Sequence, residues 1–445
     1  MADPSRSSMN ATEQDMLGRI YRKMDMRIVT ILLVAYLLDC VDRLNIGFAQ
    51  KNISEHLGMN SSDYGMAAGI FFIGYVLFEI PSNLMLPRVG ARRTFARIMV
   101  LWGATSACMG LLHDKNMFYI LRFMLGMFEA GFAPACMFYL GLWYPPSRLA
   151  TVLSVQQTAS PLAGVMAGPL SGWLISSMDH VGGVDGWRWM FMLEGLPSII
   201  MGVVVFFVLP DRPEDARWLD DRERMVLKRD SAPAPTAVYY ASFRAVLRSP
   251  VIYVLSSAYF CLICGIYTVN FWLPNIIRNA GVRSELQTGL FSAIPYAVCT
   301  VAIIIWARRS DRTGERRLHS TLPAAFGALA LFITAFVGGS LFLSLVVVSI
   351  AISLIFSAYI IFWTVPCEML KGPGAVGGFA LVNSIGLMGG FCSPIIIGHL
   401  TTWTGSLAAG LVCMGLIVAT GSLLLFLSVP RGPARQHKPI TAVAA

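Results

Sequence analysis

The 445-residue chain is expected to be an all-α polytopic membrane protein, with twelve transmembrane helices in two six-helix pseudo-symmetric bundles. Three observations predict this. Hydrophobic residues make up 56% of the chain and charged residues only 13%, where a soluble domain carries about 25% charged. Apolar runs of roughly 20 residues, each long enough to span a bilayer, recur along almost its whole length. A short basic loop appears once in each half, Asn83 in the first copy aligning with Ala307 in the second.

Residues 1–27 form a polar leader, in which EQDMLGRIYRKMDMR is able to make a short interfacial helix. It contains no apolar signal core, so the first span is expected to serve as the insertion signal. Six spans near 28–49, 64–86, 94–113, 116–140, 148–177 and 188–209 build the first bundle, residues 28–209. Residues 210–250 are a linker of mixed charge, expected to hold amphipathic helices at the membrane surface, with SAPAPTA as a flexible or extended stretch. The second bundle, 251–429, takes spans near 251–279, 285–307, 320–339, 341–367, 374–401 and 406–429, and a basic tail closes the chain at 430–445. With the N-terminus inside, 27 of the 34 Lys and Arg fall at cytoplasmic segments and 5 at outer loops, which places both termini in the cytoplasm. The same bias accounts for the net charge of +9 without a nucleic-acid partner.

The repeated loop reads NLMLPRVGARR from Asn83 to Arg93, with Arg88, Gly90 and Arg92, and ARRSDRTGERR from Ala307 to Arg317, with Asp311, Arg312 and Gly314. Parallel halves of this kind are known in one large transporter class, with the substrate site between them at the midplane. Twelve spans with this loop resemble the major facilitator superfamily. DRLNIGFA, GYVLFEIPSNLML, LRFMLGMFEAGFAP, GPLSGWL and GWRWMFMLEGLPS are similar to its anion:cation symporter family, in the phthalate, tartrate and 4-hydroxyphenylacetate permease branch. The resemblance implies alternating access, a gating role for the loops, a bacterial inner membrane and a monomer. In one departure, the first loop has Asn83 and Pro87 where the superfamily usually shows Gly and Asp, which bears on gating.

Charge inside the spans points to the site. Arg122 and Glu129 lie seven residues apart, nearly two helical turns, so they share a face at a separation of roughly 10 Å. Asp39, Asp42 and Arg43 sit inside the first apolar run. Charges at membrane depth face protein or water, and two on one face suggest a polar cavity. A guanidinium offers a bidentate fork to a carboxylate, so Arg43 and Arg122 suggest an organic anion as substrate, and the resemblance implies the same. The structural alternative is that either one only neutralises Asp42 or Glu129. Asp42 and Glu129 are the proton-coupling candidates: an anion arriving at the arginine weakens the neighbouring ion pair and leaves the carboxylate to a proton. Asp39, one turn before Asp42 on the same face, is either a second titratable group or an acceptor for Arg43.

The resemblance places a substrate-contacting tyrosine at Tyr75. Gln156 and Gln157 open the polar face of the fifth span, and one of them is expected to reach the cavity. Asn270, Tyr359, Trp363 and Asn383 are candidates for the opposite wall, with Phe362 and Trp363 suiting an aromatic or bulky acid. The second-half spans carry no Arg or Lys well inside the membrane. Anion and proton are therefore expected in the first half and the substrate body in the second. Glu79 and Glu194 are expected to make structural hydrogen bonds.

Of the nine cysteines, Cys261 and Cys264 have CxxC spacing within an apolar helix and read as packing residues; with no second such pair and no cluster with histidine, neither a metal site nor a disulfide framework is expected. No nucleophile–base constellation suggests an enzyme, and no cofactor is expected beyond the coupling proton. These residues describe a proton-coupled symporter importing a small organic acid anion, with a carboxylate, aromatic or dicarboxylate substrate. Two alternatives stay open: an organic anion or organophosphate exchanger, and a non-transporting membrane sensor.

Overall fold

The computed structural model describes residues 11–230, 247–369 and 375–429; the SAPAPTA stretch and the basic tail lie outside them. The leader helix α1 (Ala11–Met24) buries Leu17, Ile20, Tyr21 and Met24, one stripe at helical spacing. One wide turn, Asp25–Val29, carries it into α2 (Thr30–Leu57). Helix α3 (Ser61–Val89) opens on a capping box, where Asn60 accepts from the Asp63 amide and Asp63 accepts from that of Asn60. Then come α4 (Ala91–Cys108), α5 (Lys115–Glu129), α6 (Phe132–Trp143), α7 (Pro146–Gln157), α8 (Ala159–Ser177) and α9 (Gly186–Val208). The linker contributes α10 (Asp221–Asp230), and the second half is α11 (Pro250–Asn279), α12 (Glu285–Thr313), α13 (Arg317–Thr334), α14 (Leu341–Met369), α15 (Ala375–Thr404) and α16 (Leu407–Ser428). Among the described residues there is no strand.

Nine described helical stretches are long and apolar enough to cross a membrane on composition alone. The other three spans have visible reasons for falling short. Helix α2 carries Asp39, Asp42 and Arg43, α13 is short and opens on Arg317 and His319, and α7–α8 is interrupted at Thr158. Expected as single rods, the fourth and fifth spans are each broken. Between α5 and α6, Ala130 leaves helical geometry and Gly131 adopts φ 89°, a conformation in which a side chain is strained. A Cβ at Gly131 would also lie 2.8 Å from the Ser82 side chain.

The molecule has a leader end, carrying α1, α10 and the two repeated loops, and a far end, carrying Gly58, His113 and Gly281. At the leader end Lys23 pairs with Glu223, Tyr21 stacks on Tyr144 at 5.9 Å, and the Tyr144 hydroxyl donates to Asp25 at 2.6 Å. Trp143, closing α6, stacks on Trp218 of the linker at 5.8 Å. Both loops turn on a glycine at positive φ, Gly90 and Gly314. In the second, Asp311 pairs with Arg316 at 2.8 Å, while Arg312 is exposed. Partial burial of Glu315 is outweighed by the backbone N–H groups of Leu318 and His319, which donate to it, and by the His319 ring beside it, and together they hold its carboxyl below the ordinary glutamate value. The first loop, with Pro87 in place of an acid, receives its carboxylate from the linker: the Arg92 amide donates to Asp211 at 2.9 Å. The Arg92 guanidinium lies over Phe206 and Arg88 is exposed.

The halves meet most closely at the far end. Ser62 donates from its backbone to Thr402 at 3.0 Å and bonds His399 at 2.8 Å, and Arg278 donates to the Phe48 carbonyl at 2.9 Å. Along α8 and α12, Gly168 and Gly172 rest on the backbone of Gly289 and Glu285. Nearer the leader end, Asn383 on α15 donates to Glu79 on α3 at 2.6 Å. Helix α7 packs on α2, α6 and α8, all within its own half.

Candidate functional site

Midway along the bundle, α2, α3 and α5 bring four charges together. Gly126 makes this possible, because a Cβ there would press on the backbone of Phe71 and Tyr75. Without one, α5 lies against α3 closely enough for Arg122 to reach helix carbonyls. Arg122 donates to Ala67 O at 3.2 Å and Ala68 O at 3.4 Å, and its guanidinium sits 5.0 Å from the Phe71 ring centre. It is 1% exposed, and its Nη1 has no hydrogen-bond partner. Among the described residues no carboxylate pairs with it. A permanent cation buried this way is incomplete without an anion.

Arg43 is differently placed. It donates from Nε to Glu129 and from Nη2 to Asp39 at 3.3 Å, and it lies 5.3 Å from the Tyr75 ring and 5.7 Å from that of Phe71. Phe71 therefore touches both guanidiniums. Glu129 is fully buried with Oε2 unpartnered. Two carboxylates and two guanidiniums balance to zero while Asp39 and Glu129 are ionised.

Asp42 does not belong to this cluster, which corrects the expectation that Asp39 and Asp42 share a face. Its carboxylate accepts from Trp102 Nε1 at 3.0 Å, Ser106 Oγ at 2.9 Å, Ser198 Oγ at 3.0 Å and Asn45 Nδ2 at 3.5 Å. Asp42 thus ties α2 to α4 and α9 inside the first half. Glu194 is buried and accepts from Ser171 at 2.7 Å, joining α9 to α8.

Gln156 is buried beside Cys136, and Gln157 is half-buried. On the opposite wall, Tyr359 stacks on Tyr259 at 6.0 Å and Trp363 meets the same ring edge-on at 5.1 Å. Phe362 is completely buried behind them, stacked on Tyr259 at 5.2 Å, and so serves the packing of the second half rather than a cleft surface. Asn270 accepts from Tyr296 at 2.8 Å and Asn383 donates to Glu79, so both are already engaged. Three further residues border the cluster: Phe71 and Tyr267, not singled out in sequence, and Glu79, expected there only to make structural hydrogen bonds. Phe71 and Glu79 lie four residues either side of Tyr75, a spacing that puts all three on one face of α3. Tyr267 of α11 packs edge-on against Phe72 at 4.6 Å, with its hydroxyl beside the Arg43 guanidinium.

Residues 32–379 match the Major Facilitator Superfamily. A putative tartrate transporter of Agrobacterium vitis is 41% identical over 93% of this chain and 96% of its own length. The putative metabolite transport protein NicT of Pseudomonas putida is 37% identical over 92% of this chain and 94% of its own. The crystal structure of a D-xylose-proton symporter superposes with a TM-score of 0.72 at 15% identity, covering 93% of this chain and 99% of that one, which is a likeness of fold. Built of helices without strands among its described residues and related to transporters over nearly its full length, the chain is a multi-pass membrane transporter rather than an enzyme. It belongs to the Major Facilitator Superfamily, as its motifs implied, among relatives of the anion:cation symporter type.

Proposed function

We propose that the protein is a proton-coupled symporter that imports a small organic acid anion by alternating access. The observation that carries this is the Arg122 guanidinium, buried without a carboxylate partner and only one aromatic ring away from an arginine that has two. A carboxylate binding at Arg122 adds one negative charge to a balanced cluster. In a low-dielectric site that excess is costly, and a proton on Glu129 or Asp39 removes it. Anion and proton then bind better together than apart, which is the thermodynamic requirement for symport. The name of the putative tartrate transporter agrees with an organic acid as cargo.

The Lys and Arg bias favours a leader end on the cytoplasmic side, and the bacterial relatives suit an inner membrane. The close contacts at the far end support an inward-facing arrangement, in which substrate exchanges with the cytoplasmic side. A monomer suffices for this reading, since the charged cluster is built within one chain.

Uptake of labelled carboxylates into proteoliposomes, with and without an inward proton gradient, tests the proposal. Gradient-driven accumulation that is abolished in Arg122→Ala and lost in Glu129→Gln, with exchange of internal for external substrate retained in the latter, is the expected result. Uptake indifferent to the gradient but dependent on a trapped internal anion would replace symport by exchange. Binding without accumulation would make the protein a sensor.

A further inference from the structure

We propose that Glu79 and Asn383 form a hydroxyl-selecting subsite, so that the transported acid is a hydroxylated one. This rests on the organic-acid reading above and narrows its substrate class. Glu79 lies one helical turn beyond Tyr75 on α3, toward the leader end, within electrostatic reach of Arg43. Its Oε1 accepts from Asn383 Nδ2 at 2.6 Å, across the boundary between the halves. Its Oε2 is buried and has no hydrogen-bond partner, in a side chain belonging to a residue only 5% exposed.

Asp42, inside the first half, has four donors on its two oxygens, while Glu194 joins α8 to α9 with one donor and an unpartnered Oε2, so what sets Glu79 apart is its position at the boundary between the halves. Glu79 has one donor and a vacant oxygen in the surface between the halves, where a substrate must pass. No lysine or arginine is paired with it among the described residues. A carboxylate accepts and does not donate, so only a group with an O–H or N–H completes it. Methylenes supply no donor, nor does a second ligand carboxylate. A hydroxyl both donates and accepts, and matches Glu79 whether or not the carboxyl holds a proton. The ligand so described has its carboxylate at the arginine cluster and a hydroxyl directed at Glu79, which lies one helical turn beyond Tyr75 and within electrostatic reach of Arg43.

Leaving a buried acceptor unsatisfied corresponds to a discrimination of roughly 5- to 150-fold. The test measures uptake and competition in proteoliposomes for two matched pairs, tartrate against succinate and gluconate against hexanoate. Wild type is expected to favour the hydroxylated member of the accepted pair by that factor. Glu79→Ala and Asn383→Leu should bring the ratio near one by weakening the hydroxylated acid alone, while Glu79→Gln, which keeps an acceptor, retains most of it. Uptake by wild type without discrimination, or variants that keep the full ratio, overturns the subsite and leaves the transport reading standing. No uptake of any of the four by wild type overturns both. The wild-type ratio decides the matter even where a variant does not fold.

Discussion

The far-end seal between α8 and α12 offers a direct way to bias the conformational equilibrium. A Cβ built on Gly172 would lie 2.6 Å from the Glu285 carbonyl oxygen, 3.2 Å from Gly289 Cα and 3.3 Å from Leu286 Cα. The closest of these is 0.8 Å inside the 3.4 Å at which ordinary contact begins. All three are backbone atoms, so no side chain can swing aside; the helices must separate. Overpacking of this kind costs about 1–3 kcal/mol. In Gly172→Ala the penalty falls on the state in which the far end is closed and is relieved when it opens, so the ratio of open to closed should rise roughly 5- to 150-fold. Spin labels at Glu55 and Arg283, both exposed at the far end, read the change as a longer inter-label distance in a background without reactive native cysteines. Gly338→Ala is the control, because nothing lies within 4 Å of a Cβ there. An unchanged distance distribution in a folded, monodisperse Gly172→Ala protein would refute the reasoning, since it would mean the two halves yield at this contact without parting.

Two further substitutions separate structural carboxylates from those of the site. Asp42→Asn should lower stability by about 1–3 kcal/mol, because the carboxamide cannot accept from all four donors, yet leave the proton-gradient dependence of uptake in place; Asp39→Asn removes a charge from the balanced cluster and should change that dependence, and equal effects of the two on it would contradict the division. Asp211→Ala removes the acceptor at the start of α4 and should cost about 1 kcal/mol, read as faster amide exchange at Arg92 and its neighbours.

The spans were readable because bilayer thickness dictates their length, and the charged residues of α2 and α5 because burial makes charge expensive. What each charge pairs with was less accessible. Asp39 and Asp42 are three residues apart, about 60° around the helix, and that offset sends one to Arg43 and α5 and the other to α4 and α9. Nothing in the local sequence distinguishes them, since the choice is made by neighbouring helices. Glu79 and Phe71 were within reach of spacing alone, four residues from Tyr75. Tyr267 was not, because its partner lies in the other half. The break after Glu129 depends on one glycine at positive φ, in a segment whose hydropathy continues unbroken through Leu140.

That break has a mechanical consequence. Glu129 is the last residue of α5, and the chain restarts as α6 at Phe132. Straight helices resist bending because hydrogen bonds must be given up; here they have already been interrupted at Ala130 and Gly131. The carboxylate that holds Arg43 therefore sits on a ready-made joint. Below it, α6 is a short arm whose tip, Trp143 and Tyr144, is fastened to Trp218 of the linker and to Asp25 beside the leader helix. A change in what Glu129 holds is thus applied at the pivot of a lever whose other end grips the apron joining the two halves.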